Sequence, residues 1–210
     1  MQLIAHSGLT NKYIKENTLE AFINAQNNNY IGIELDIRKT KDNKIVILHD
    51  KLINRTSNGK GNINNLTYKE VLKYNFGTNE VKSKIPLLEN VISKINNTTI
   101  FIELKEKIEA YELENILSKN NTNEYYISSF HKDFIDNVSK TKYKKGLINY
   151  VFNSNIDITK YDFILILESL FNKDIYNYLN NKNIEPVLYN VSNKINIKNK
   201  DLINKLKYIV

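Results

Sequence analysis

The sequence predicts an α/β fold: a compact (β/α)8 barrel with a β-hairpin and a small insertion after strand 2. Three observations point there. Strand-like and helix-like segments alternate from end to end, the mark of parallel strands joined by crossover helices. Eight strand candidates remain once the return strand of one hairpin is set aside, and eight parallel strands close into a barrel. Histidines and paired carboxylates stand at the ends of the first strands, where such a barrel gathers its functional groups. An open doubly wound sheet is the alternative architecture.

The elements follow in order. Gln2–Ala5 is a short first strand, and Thr18–Asn28 is a helix whose Leu19, Phe22, Ile23 and Ala25 share an apolar face. Glu16-Asn17-Thr18 supplies capping oxygens before it. Ile31–Ile37 is the second strand, and Lys41-Asp42-Asn43-Lys44 returns the chain as Lys44–Leu48. So short a link makes the pair an antiparallel hairpin. Asn54 to Asn65 is polar and carries glycines, so it reads as a loop; with its surroundings it forms an insertion over about 51–84. Tyr68–Tyr74 and Leu87–Ile95 read as helices, the second entered through Pro86. Later strands are expected at Thr99–Lys105, Tyr125–Ser129, Lys145–Tyr150, Phe163–Leu167, Glu185–Tyr189 and Lys207–Val210. Helices are expected near Ala110–Ser118, Asp133–Ser139, Leu170–Asn180 and Lys200–Lys205. No repeat or long linker divides the 210 residues, which read as one barrel domain, 1–210.

Composition narrows the chemistry. With no cysteine, disulfides, thiol catalysis and Cys-ligated metal sites are excluded. The N-terminus has no basic segment followed by a long apolar run, and no stretch reaches the ~20 apolar residues of a spanning helix, which predicts an unexported, cytoplasmic protein. The net charge is +7. The lysines are nevertheless dispersed, without the dense basic run or interleaved aromatics of a nucleic-acid surface, so no nucleic-acid partner is predicted. A positive field suits an anionic small molecule.

The candidate site lies in a few strand ends. In Ile33-Glu34-Leu35-Asp36-Ile37 alternation puts both carboxylates on one face, ~7 Å apart at Cα, close enough to reach one hard cation such as Mg²⁺ or Ca²⁺. A solvated polar strand face would give the same pattern. Phe101-Ile102-Glu103-Leu104-Lys105 repeats it, offering Glu103 as a third carboxylate and Lys105 as a partner for an anionic oxygen. Two of the chain's three histidines, His6 and His49, each follow a strand. A histidine pair beside a cation can divide the proton transfers of a hydrolysis. His131 starts a probable loop or helix and is taken as a rim residue.

Taken in order, these segments resemble the glycerophosphodiester phosphodiesterase family. The resemblance is carried by AHSG (5–8), ENTLEAF (16–22), GIELDIRKTKDNKIVILHD (32–50), NRTSNGKG (54–61), IPLLENVI (85–92), FIELK (101–105) and SSF (128–130). It is strongest over residues 3–130 and weaker through Val187–Val191 and Tyr208–Val210. The resemblance implies a TIM-like barrel with its small insertion after the second strand and a divalent cation, Mg²⁺ or Ca²⁺, on Glu34, Asp36 and Glu103. It implies His6 and His49 as general acid and base, and Lys105 on the phosphate. Ser7 and Glu16, which stand in matched motifs, are further candidates for substrate contact. The implied reaction cleaves a glycerophosphodiester to glycerol 3-phosphate and an alcohol. One position departs: the family has His-Arg-Gly where this chain has His6-Ser7-Gly8. A hydroxyl cannot replace a planar two-pronged cation. Losing a charge-assisted contact of ~1.5–3 kcal/mol costs about one to two powers of ten. Arg38 and Lys105 are the candidates to compensate, and the competing reading is a weakened barrel that binds a phosphorylated polyol or lipid headgroup.

Overall fold

A computed structural model describes residues 2–149, 157–189 and 200–210 of the chain. Strands run at Gln2–Ala5 (β1), Gly32–Lys39 (β2), Ile45–Ile47 (β3), Thr99–Leu104 (β4), Glu124–Ser129 (β5), Lys144–Asn149 (β6), Phe163–Leu167 (β7), Glu185–Tyr189 (β8) and Tyr208–Ile209 (β9). Helices run at Leu19–Asn27 (α1), Tyr68–Val71 (α2), Leu88–Lys94 (α3), Ala110–Leu117 (α4), Lys132–Asn137 (α5), Lys173–Asn180 (α6) and Lys200–Ile203 (α7). Among the described residues, β1, β2 and β4 to β9 are parallel neighbours in sequence order, and β9 pairs with β1 to close the ring. This is the predicted (β/α)8 barrel. The predicted strand end at Tyr150 and the segment Asn190-Val191 lie outside the described residues.

β3 pairs antiparallel with β2, Ile37 opposite Ile47 and Lys39 opposite Ile45. The turn between them is made by its own residues. Thr40 N–H donates to the Lys44 carbonyl at 3.0 Å, Lys44 N–H returns a bond to Thr40 Oγ1 at 3.0 Å, and Asn43 takes the left-handed conformation at φ +57°.

Alternation along the strands sorts side chains into three cores. Ile33, Leu35 and Ile37 point outward and join Ile100, Ile102, Phe22, Leu88, Val91 and Leu113 between strands and helices. Phe101, Tyr126, Phe163 and Tyr208 fill the barrel with Ile4, Leu165 and Val187. Phe101 stacks on Tyr126 at 4.5 Å between centroids and meets Tyr208 edge-on at 5.6 Å, so the interior is packed rather than open. Val46, Leu48, Ile53, Ile63, Val71, Phe76 and Ile85 form a satellite core under the insertion. That core holds the segment after β3 as a folded platform instead of a free loop.

Gly32 opens β2 where β1 and β4 crowd it. A Cβ there would stand 2.3 Å from the Thr99 carbonyl oxygen and 2.4 Å from Ile4 Cδ1. The first neighbour is backbone and cannot swing aside. Gly32→Ala is expected to lower stability by about 3 kcal/mol, the upper end for overpacking, read as a lower urea midpoint at unchanged slope. An unchanged midpoint would show that the strands have room.

Candidate active site

Register delivers the acidic groups to the C-terminal rim. Asp36 on β2 lies opposite Glu103 on β4, which lies opposite Ser128 on β5. Ala5 pairs with Ile33, so His6 follows β1 beside Glu34. Oxygens of Glu34, Asp36 and Glu103 all lie within 4.8 Å of one another, and all three residues are buried. Lys105, just past β4, reaches back to Asp36 Oδ1 at 3.1 Å and to Glu103 Oε1 at 2.5 Å. A cleft of about 190 Å³ opens above them. His6, Glu34, His49, Glu103 and Lys105 line its β1–β4 side, while Phe130, Ile148, Leu165, Tyr189 and Val210 line the other with Ser128 between. Roomier hollows exist, one of about 480 Å³ at the N-terminal end of the barrel. Size does not choose among them; the convergent carboxylates, histidines and lysine do.

The β1–α1 loop is built tightly over this floor. Ser7 and Asn17 both adopt left-handed backbones, φ +52° and +55°, which side chains of this kind tolerate at a cost repaid by specific bonds. Ser7 N–H donates to Glu34 Oε2 at 2.9 Å. Asn17 Nδ2 donates to Asp36 Oδ2 at 2.8 Å and to Ser7 Oγ at 3.3 Å. Gly8, at φ +81°, lets the loop touch helix α1, where a Cβ would come within 2.7 Å of Ala21 Cβ.

Three like charges in a dry place set the electrostatics. Burial, then Asp36 and Glu103, push the Glu34 pKa well above the ordinary carboxylate value, with the Ser7 N–H opposing. Burial also raises Glu103, although Lys105 pulls the other way. For Lys105 desolvation alone would lower the pKa, but Asp36 and Glu103 overcome it and the ammonium is raised. The His6 pKa is lowered by desolvation in the crowded cleft, even though 65% of its side-chain surface is exposed, and Asp36 opposes the shift. Glu34 Oε2 lies 3.8 Å from His6 Nε2. Asp36 Oδ1 is buried without a well-aligned hydrogen-bond donor, its nearest cation being the Lys105 ammonium. Three hard carboxylate groups within 4.8 Å of one another, one of which resists ionising beside its neighbours, fit a divalent cation.

The predicted residues are found together, with different surroundings. His6, Glu34, His49, Glu103 and Lys105 line the cleft, and Asp36 lies buried against Glu34, Glu103 and Lys105. Ser7 sits beside it with its N–H engaged by Glu34. Glu16 lies across from Arg55, whose Nη2 donates to it at 2.7 Å. Arg38 is occupied: its Nε donates to the His49 carbonyl at 2.9 Å and its Nη1 to the Lys105 carbonyl at 3.4 Å. It braces two site-bearing segments and leaves Lys105 as the cation facing the cleft. His131 caps α5 at the edge, as a rim residue. Sequence reasoning passed over Asn17 and Arg55 as site residues. Asn17 lay inside a capping segment, and nothing local marks an Asn that bonds 19 residues away.

An acidic triad, two histidines and a lysine thus gather at the C-terminal rim of an α/β barrel. The chain belongs to the glycerophosphoryl diester phosphodiesterase family, which it matches over residues 6–207. A glycerophosphodiester phosphodiesterase of Bacillus altitudinis is 37% identical over 117 residues, 52% of this chain and 47% of that protein. One from Caldanaerobacter subterraneus subsp. tengcongensis is 32% identical over 150 residues, 66% of this chain and 61% of that protein. The chain thus spans about half to three-fifths of the length of these relatives. Among solved structures, an Oleispira antarctica phosphodiesterase in complex with the product sn-glycerol-3-phosphate superposes with a TM-score of 0.87 at 20% identity, covering 100% of this chain and 92% of that one. A Galdieria sulphuraria protein superposes at 0.82 and 18% identity, covering 99% and 92%. These likenesses carry the fold.

The sign of the pH dependence follows from the raised carboxyls. The folded protein holds the Glu34 and Glu103 protons more tightly than the unfolded chain, whose value is about 4.5. Their contribution is therefore present at low pH and lost as pH rises from about 4.5 through the folded values. In cation-free buffer, Glu34→Gln is expected to gain stability relative to wild type as pH rises from about 5 to 8. Parallel thermal melts check this; a constant difference would remove the crowding of charge from the account.

Proposed function

We propose that the chain is a metal-dependent phosphodiester hydrolase that cleaves a glycerophosphodiester to glycerol 3-phosphate and an alcohol. The observation that carries this reading is the triad of buried carboxylates beside Lys105, with histidines on either flank. Family membership supports it, as does the fold shared with a structure that contains sn-glycerol-3-phosphate. Glu34, Asp36 and Glu103 would hold the cation, Mg²⁺ or Ca²⁺. Bound there, it supplies a counter-charge for the phosphoryl oxygens.

The remaining chemistry belongs to the side chains. Lys105, kept charged by Asp36 and Glu103, presents an ammonium to a non-bridging phosphate oxygen. Ser7 and Glu16, on the β1–α1 loop beside the cleft, would be further contacts for the substrate's hydroxyls. His6 and His49 divide the proton traffic, one relieving the attacking water or neighbouring substrate hydroxyl of its proton and the other protonating the leaving alkoxide; where the hydroxyl attacks, a cyclic phosphate forms first and water then opens it to glycerol 3-phosphate. Burial holds the His6 pKa below the ordinary histidine value, which favours the neutral ring that can accept a proton. The barrel serves as one domain, with residues 51–84 as the insertion that brings Arg55 to the rim.

Two experiments test the reading. Purified protein should release glycerol 3-phosphate from glycerophosphocholine or glycerophosphoethanolamine, lose that activity on chelation and regain it with Mg²⁺ or Ca²⁺. His6→Ala and His49→Ala should each lower kcat by about 10²–10⁴-fold, the range for a general acid or base. Equal turnover by wild type and both variants would overturn the mechanism. Calorimetric binding of glycerol 3-phosphate with no turnover under any divalent cation would favour the binding-protein alternative.

A triad that holds a cation must also respond to it outside catalysis. Mg²⁺ or Ca²⁺ is expected to raise the melting temperature of wild type, more at about pH 7.5 than at about pH 5, where protons compete for the carboxylates. Glu103→Gln should abolish most of the shift. A variant that responds like wild type would place the cation elsewhere.

A further inference from the structure

Behind His49 a chain of contacts crosses the rim from one loop to another, and no step of the proposed hydrolysis uses the Asp50–Arg55 pair at its centre. His49 Nδ1 lies 2.7 Å from Asp50 Oδ1. Arg55, in the turn at the start of the insertion, grips the same carboxylate with two prongs: Nε to Oδ2 at 2.6 Å and Nη2 to Oδ1 at 3.1 Å. The same Nη2 reaches Glu16 Oε1 on the β1–α1 loop at 2.7 Å. We propose that Arg55 is a positioning residue which, acting through Asp50 and anchored by Glu16, holds the His49 ring in one tautomer and one orientation.

The argument rests on donor and acceptor capacity. Hydrogen bonds from Arg55 hold the Asp50 carboxyl down at about 2, so it is an acceptor at any working pH. An acceptor facing Nδ1 requires that Nδ1 carry the proton, which leaves Nε2 of the neutral ring unprotonated and available to the cleft. Asp50 alone would be a poor orienting group, because it follows His49 directly in the chain and its side chain is free to turn. The fork of Arg55 removes that freedom: two parallel bonds fix the plane of the carboxylate as well as its place. Glu16 removes the freedom of Arg55 in turn. The guanidinium is half exposed, yet it makes three bonds to two carboxylates on separate segments, a network rather than an isolated surface pair.

The fold explains why the strut is needed. His49 leaves β3, the short antiparallel strand outside the barrel ring, whereas His6 leaves a ring strand. Its backbone is braced by Arg38, but its ring projects from a strand of three residues. The insertion, folded on its own satellite core, lends Arg55 from one side and the β1–α1 loop lends Glu16 from the other. Together they tie the segment bearing His49 to the loop that follows His6. Lysine could supply the charge but not the fork.

The inference rests on the proposed role of His49 in hydrolysis, and its test separates the two. The variants are Arg55→Gln, Arg55→Lys, Glu16→Gln and Asp50→Asn, with circular dichroism as a check on folding. Two-bond ¹H–¹⁵N spectra at about pH 8, above the ordinary histidine value, read the tautomer of each ring. Only three histidines have to be assigned. In wild type, neutral His49 should appear as the Nδ1–H form. Arg55→Gln should yield a mixture of tautomers, with kcat for glycerophosphodiester cleavage lowered roughly 10- to 100-fold, the cost of a misplaced catalytic group, and KM little changed. Arg55→Lys and Glu16→Gln should fall between, and Asp50→Asn should be the most severe, since an amide can donate to Nδ1 and reverse the tautomer. An unchanged His49 tautomer in Arg55→Gln, or a rise in KM with kcat preserved, overturns the proposal. If wild type cleaves no glycerophosphodiester, the functional reading fails and the spectra alone decide: a shifted tautomer sustains the strut, an unshifted one removes it.

Discussion

The packing of three carboxylates into a space less than 5 Å across, under cover, is the constraint on which the rest of this rim depends. Placing Glu34, Asp36 and Glu103 within 4.8 Å of one another concentrates charge that water would otherwise screen. Each part of the surrounding structure answers it. Lys105 spans two of the carboxylates. The Ser7 N–H donates to Glu34 and the Asn17 amide to the second oxygen of Asp36, and both residues accept left-handed backbones to do so. Among the described residues Asp36 Oδ1 has only the Lys105 ammonium, which it shares with Glu103. A cluster that were merely structural would be simpler with one carboxylate replaced by an amide. An arrangement that keeps all three, and bends its own backbone to support them, is what a site for a positive partner requires.

The strands were legible because their patterns are local. Strict alternation in Ile33–Ile37 and Phe101–Lys105 fixed which face carried the carboxylates, and the short Lys41–Lys44 link could only be a hairpin. The barrel followed from the count of strands. Register, which brings Asp36 opposite Glu103, is not a local property, and the sequence pointed to the meeting of these residues through the order of motifs. Asn17 and Arg55 were missed for a related reason. Asp36 lies 19 residues from Asn17 and Glu16 lies 39 from Arg55, and an Asn next to a helix cap or an Arg near an acidic neighbour such as Asp50 has an ordinary explanation in its own neighbourhood. Glu16 was noticed as a possible contact for substrate, while its partner across the rim was not.

Ser7 shows how a departure from the family pattern is absorbed. The backbone at this position is required to give its N–H to Glu34, and the left-handed turn that achieves this is independent of the side chain. A serine therefore preserves the carboxylate's donor while giving up the long cation that the family resemblance leads one to expect. The nearby arginines do not fill the vacancy. Arg38 is spent on backbone carbonyls, and Arg55 on Asp50 and Glu16. Lys105 is left as the cation that lines the cleft together with the triad. Its charge is shared with Asp36 and Glu103, so a phosphate there would compete with two carboxylates for one ammonium. That competition is relaxed once a divalent cation takes over the carboxylates.

The two sides of the cleft then differ in what they can recognise. The β1–β4 side carries the charged and titratable groups, the ones suited to an anionic group. The β5–β9 side presents Phe130, Ile148, Leu165, Tyr189 and Val210, surfaces that reward the removal of apolar area from water but offer few fixed donors. Inside the barrel the same strands are filled by Tyr126, Phe163 and Tyr208, so the apolar wall is the top layer of a packed core, supported from below. Rigidity on that side comes from packing and on the other from hydrogen bonds and ion pairs. A substitution in the apolar wall would change volume and be felt through its neighbours. One in the charged half would change which proton or cation is held, and the chemistry of the rim is concentrated there.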